Sequence, residues 1–286
     1  MSYPQDIGVI DLMMQIPGQS NRDWYDFMQP LFMDAQSRNY DKMPVEYMFR
    51  NVPDLGDRDD YVAYTLEKMD AFGIAKAMIG VGHGQSDAAL QSHPDRFFGS
   101  YHANPNRGMD EVREIVRLHE THGIKAVTAF PSGLVPQVPI NDKRWYPIYA
   151  KCVELDLPFC CTVGVPGPRI PMAPQKVELI DEVCWFFPEL KFVMRHGAEP
   201  WTELAVKLML KYDNLFYMTS AFAPKYYPKA IVDFANSRGS KKVMYAGYWP
   251  MGLSLERIFS ELPQVPLKAE VWPRFLRDNA TEVFKL

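Results

Sequence analysis

His196 closes an apolar run, Lys191 to His196 (KFVMRH), and its type and place suit proton transfer. An imidazole titrates near neutrality, so at the open end of a strand it is placed to take or give a proton. A leftover histidine satisfied by its neighbours is the alternative. Arg195 alternates to the opposite face of that run and is expected to pair outside. Arg169 ends a rigid loop, Gly164 to Arg169 (GVPGPR). Its planar guanidinium suits a carboxylate, so it is expected to clamp an acid; the plainer alternative is a surface salt bridge. His102 and His83 follow two other apolar runs and can reach the same mouth, whereas His93, His119 and His122 fall on loops or helices. Cys152, Cys160, Cys161 and Cys184 form no CxxC pair, and adjacent Cys160 and Cys161 point to opposite faces of a strand. They read as reduced core thiols. No GxSxG elbow is present, and Lys76 and Lys125 begin strands, away from a catalytic end.

The elements that must position these residues alternate in kind. Apolar runs at 7–14, 74–81, 97–103, 124–130, 157–163, 191–196, 215–220 and 241–247 read as strands. Helical patterns fall over 58–72, 108–122, 144–156, 175–187, 200–211, 226–237, 253–261 and 270–284. Near-continuous apolar strands are what a buried parallel sheet requires. Eight such units predict an α/β fold, a (β/α)8 TIM barrel formed as a single domain over residues 1–286. Residues 15–57 lack a clean period and read as an insertion after the first strand. They are rich in Met, Phe and Tyr (WYDFMQPLFM), which suits either a cap over the pocket or contact with a partner subunit. An open doubly wound sheet would want GxGxxG after the first strand, and Met13 to Gly18 is not that.

The totals exclude several classes. A net charge of −4 gives no ground for expecting nucleic acid as a partner. No window reaches a membrane-spanning length, and the start lacks a basic leader region, so a cytoplasmic location is expected.

Several stretches resemble the amidohydrolase-related family, which includes decarboxylases, hydratases and lactonases. They are Asp95 to Pro105 (DRFFGSYHANP), Lys143 to Gly164, His196 to Trp201 (HGAEPW), Asp213 to Leu215 with Thr219 and Ser220, and Asp278 to Leu286. The resemblance implies a barrel, a small-molecule substrate and a homo-oligomer. It also implies a metal site, from which this sequence departs. Where the first strand of the family carries D-x-H-x-H, Asp11 is followed by Met13 and Gln15. Thr162 holds the place of the fifth-strand histidine, and Tyr248 that of the eighth-strand aspartate. Only the sixth-strand histidine, His196, is kept. A thioether, an amide, a hydroxyl and a phenol do not make a tight divalent-metal cage, so no metal and no cofactor are expected.

Three readings follow. The first is a metal-free hydrolase or lyase acting on a small cyclic or aromatic carboxylic acid. His196 and Tyr248 would be catalytic. Gln15, Met13, Thr162, Arg169, His102 and Trp249 would contact the substrate. The second is a non-catalytic barrel that binds a small molecule or a partner. The third is a metal held by other residues, such as His196 with His102 and a carboxylate.

Overall fold

The computed structural model describes residues 3–4, 6–18, 23–39 and 43–286. Eight parallel strands pair in chain order: β1 (Val9–Asp11), β2 (Ile74–Gly80), β3 (Phe97–His102), β4 (Ala126–Ala129), β5 (Phe159–Thr162), β6 (Phe192–Arg195), β7 (Leu215–Met218) and β8 (Val243–Met244). Each is a core of the apolar run expected there. Around them lie α1 (Tyr61–Ala71), α2 (Ser86–Ser92), α3 (Met109–His122), α4 (Tyr146–Glu154), α5 (Ile180–Phe186), α6 (Thr202–Lys211), α7 (Lys229–Ala235), α8 (Leu255–Glu261) and α9 (Asn279–Phe284). The short α2 had no expected counterpart. The fold is a TIM barrel.

Alternation along the strands separates two cores. Ile10, Leu12, Met78, Phe98, Ala126, Cys160, Val193, Met218 and Met244 fill the barrel interior. Cys161, Phe159, Phe192 and Met194 face outward, where they meet the helices. Cys160 and Cys161 thus divide between the two cores, and all four cysteines are buried and free. At the N-terminal end of the strands, Ala280, Val283 and Phe284 of α9 join the inner core, with Phe284 and Phe98 rings 5.9 Å apart.

The seam between β8 and β1 is built differently. A single parallel bridge joins Met14 to Trp249, and Gln15 N–H donates to Trp249 O at 3.4 Å. The fully buried Asp11 reinforces it: its Oδ1 accepts Gly247 N–H at 2.8 Å and Met13 N–H at 2.9 Å.

The insertion covers the opposite, C-terminal mouth. Its 3-10 turns (Asp23–Leu31 and Glu46–Met48) surround a small core of Tyr25, Met28, Phe32, Met43 and Val45. Residues 19–22 and 40–42 of the insertion lie outside the described residues.

Candidate active site

A cavity of about 960 Å³ opens at the C-terminal ends of the strands, beneath the cap. This is where a barrel places its chemistry, because side chains from several strand ends converge there. The cap contributes an apolar roof, including Phe27, Met28, Val45 and Phe49. The strand ends contribute a polar floor of Gln15, His83, Ser100, His102, Thr128, Thr162, Arg195, His196 and Tyr248.

His196 follows β6 in the left-handed backbone region, at φ 66°. That conformation is uncommon outside glycine and recurs at functional sites. Ser220, two residues beyond β7, holds the imidazole. Its Oγ accepts the His196 backbone N–H at 3.1 Å and lies 3.1 Å from Nδ1. Nε2 has no hydrogen-bond partner among the described residues. Burial, then the nearby Arg195 charge, push the His196 pKa well below its ordinary value, so the ring is neutral near pH 7.

Arg195 corrects the expectation that it pairs outside the barrel. Val193 belongs to the inner core, so Arg195, two residues later, also points inward. The expectation took His196 as the inward reference, but the strand stops at Arg195 and the positive φ of His196 breaks the alternation. Both side chains therefore reach the cavity. Arg195 is 7% exposed. Its Nε donates to Thr162 Oγ1 at 3.0 Å, Nη1 lies 3.9 Å from Met13 Sδ, and Nη2 lies 3.5 Å from Ala129 O. It makes no ion pair among the described residues. Glu199, the one carboxylate among the described residues that line the cavity, is exposed at the rim. Burial lowers the guanidinium pKa, yet Arg starts so high that it stays charged.

Tyr248 stacks on Phe49 of the cap, with centroids 5.3 Å apart, and its edge meets His196 at 5.6 Å. Burial raises its pKa, partly offset by the Tyr25 hydroxyl and Arg195, so it remains a neutral donor. Gln15 Oε1 accepts Gly80 N–H at 3.1 Å, and its amide NH2 has no partner among the described residues. A side chain at Gly80 would crowd that amide, since an added Cβ would lie 3.2 Å from Gln15 Nε2. His102 is pushed down to about 3 by burial, by Arg195 and by His83. Its Nε2 is buried without a partner among the described residues, and the ring of Phe27 lies 5.1 Å from its own.

His196, Tyr248, Gln15, Met13, Thr162 and His102 thus come together. Arg169 and Trp249 do not join them. Arg169 binds the cap from outside, through Gln36 at 2.7 Å, Asp34 at 3.3 Å and the Tyr47 ring at 4.4 Å. Val165 to Pro168 of its loop line the cavity, but the Arg169 side chain itself is exposed on the outer side, so the surface pairing is the one formed. Trp249 packs against Tyr64 of α1, behind the seam. Its backbone carbonyl, not its ring, serves Gln15. Ser220 and the cap residues Tyr25, Phe27 and Phe49 were missed; the aromatic content of the insertion was the signal for the last three.

The amidohydrolase family profile matches residues 31–286. The chain belongs to the amidohydrolase family. No curated protein matches it. Among solved structures, it resembles an uncharacterised TIM-barrel protein from Bordetella bronchiseptica at 21% identity and a TM-score of 0.72, covering 97% of this chain and 98% of that one. It also resembles the 5-carboxyvanillate decarboxylase of Novosphingobium aromaticivorans, complexed with manganese and a nitrobenzoic acid. There identity is 18%, the TM-score is 0.70 and coverage is 100% of both chains. A 2,6-dihydroxybenzoate decarboxylase from Rhizobium matches at 14% identity and a TM-score of 0.66, covering 97% and 98%. At these identities the likeness establishes the shared fold.

The family and its manganese-bound relative raise the question of a metal. Among the described residues no three His, Cys, Asp or Glu side chains come together to hold one. His196 is the one strong donor in the set formed with Met13, Gln15, Thr162 and Tyr248, and the Arg195 cation touches two members of that set. This arrangement does not fit a divalent ion. No helix among the described residues is long and apolar enough to cross a membrane.

Proposed function

We propose that the cavity is the active site of a metal-independent enzyme. It acts at the acyl or carboxyl group of a small aromatic or cyclic carboxylic acid. The observation that carries this reading is Arg195: a buried guanidinium without a carboxylate partner among the described residues, beside a neutral histidine, under an apolar roof. A buried charge is costly unless paired, and a substrate oxygen anion would pair it.

In the hydrolytic form, His196 Nε2 takes a proton from water and the water oxygen adds to the acyl carbon. The carbonyl electron pair moves to oxygen, where Arg195 and the Tyr248 hydroxyl hold it. When that pair returns, the ring C–O bond of a lactone breaks, and His196 passes its proton to the leaving oxygen. The aromatic decarboxylases among the fold relatives favour a second form built from the same parts. There the carboxyl C–C bond breaks, its electron pair stays on the ring, and a water held by neutral His196 supplies the proton that replaces CO2, the hydroxide left behind combining with the CO2 as bicarbonate.

The test is turnover of a panel of lactones and aromatic acids by chelator-treated protein. Turnover should persist without metal and fall by roughly 10²- to 10⁴-fold in His196→Ala. The acid limb of kcat/KM should lie below the ordinary histidine value, because the base of the free protein is held neutral. Turnover that requires added manganese sinks the metal-independent reading. Binding across the panel without turnover favours the non-catalytic barrel.

A further inference from the structure

We propose that Arg195 is a resident cation that takes the place of the divalent metal in this barrel. The inference rests on the metal-independent reading above, but not on either reaction. A guanidinium carries a fixed charge that does not titrate in the working range and does not exchange with solvent. Here it is 7% exposed and lies at the meeting point of strand ends β1, β4 and β5. Two of its contacts are Thr162 and Met13, the residues at the fifth-strand and first-strand positions that the family resemblance gives to metal ligands. A solved relative of this fold holds manganese.

The cation acts in two ways. It occupies the pit between those side chains, and it repels any divalent ion that approaches the retained His196. Burial makes that repulsion strong, because little water screens it. What remains attractive is an anionic oxygen, and the planar fork suits the two oxygens of a carboxylate. The change also removes one source of nucleophile. A guanidinium cannot lower the pKa of a coordinated water, so water activation falls to His196.

The experiment restores the missing ligands and varies only the cation. The graft carries Met13→His, Gln15→His, Thr162→His and Tyr248→Asp alongside the native His196. It is made with Arg195 retained, with Arg195→Met and with Arg195→Lys. Manganese binding is read from the loss of the free-ion electron paramagnetic resonance signal, and folding from circular dichroism. The graft with Arg195→Met should bind manganese on the order of a hundredfold more tightly than the graft that keeps Arg195. The Arg195→Lys graft, still cationic, should exclude the ion as the arginine does. Equal affinity with and without the cation, absence of binding in both included, overturns the proposal. So does one tight equivalent of manganese on the unmodified protein.

A second measurement avoids the graft altogether. Benzoate, titrated against unmodified protein and followed by calorimetry, should lose at least about tenfold in affinity in Arg195→Met and little in Arg169→Met. Benzoate affinity unchanged by Arg195→Met also overturns the proposal. Neither measurement reads turnover, so an inactive protein leaves both decisive.

Discussion

Asp11 Oδ1 accepts the N–H of Met13 and the N–H of Gly247, so one carboxylate joins the end of β1 to the turn after β8. Burial lifts its pKa from 3.8 to about 6, and the two backbone donors hold that rise back. The folded protein therefore keeps the proton to a higher pH than the unfolded chain. Stability from this group is fully present below 3.8 and is lost as pH rises through about 6. At 1.36 kcal/mol per pH unit, the loss is about 3 kcal/mol. Asp11→Asn can keep the acceptor and remove the titration. Between about pH 4 and about pH 7.5, urea unfolding should show the variant gaining about 2.5 kcal/mol relative to the parent. A difference that does not change with pH would mean that the carboxyl titrates alike in both states. His196 responds in the opposite sense, since its neutral form is the one burial favours and its penalty appears as pH falls.

At the scale of elements, β6 and the cap decide the site. The sequence placed His196 at the mouth because strand ends are recognisable from apolar runs. It misread Arg195 because alternation holds only inside the strand, and no residue pattern announced the left-handed turn at His196. The insertion was recognisable as an insertion, but whether it met the barrel or a partner was not, since both demand apolar residues. By residue type and loop Arg169 suits a substrate clamp, but the structure makes it the outer clasp of the cap, through Asp34, Gln36 and Tyr47. Such exposed contacts are screened by solvent and each is weak. Arg169→Ala should therefore leave global unfolding almost unchanged and let the cap open more often. Limited proteolysis within the insertion should quicken by roughly five- to tenfold, following the local opening free energy. If Arg169 instead held substrate, the variant would raise KM with no change in proteolysis.

Across the whole molecule, the barrel is closed at both ends by chain from outside the strands. The cap roofs the C-terminal mouth, and α9 plugs the N-terminal end with Ala280, Val283 and Phe284. The two closures differ in consequence, because function occupies one end and packing the other. Phe284 is 2% exposed and its ring meets Phe98 inside the barrel. Replacing it with alanine leaves a cavity that the rigid strands can fill only in part. Phe284→Ala should therefore destabilise the fold by about 3–5 kcal/mol. That is a large share of the roughly 5–15 kcal/mol that holds a typical domain together. The folded fraction at 25 °C should still bind benzoate as the parent does, since Arg195 and His196 lie at the far end of the same strands. Chemical denaturation measures the first effect and calorimetry the second. A variant that lost affinity in step with stability would show instead that the inner core transmits strain along the barrel, and that the plug and the active site are one mechanical unit.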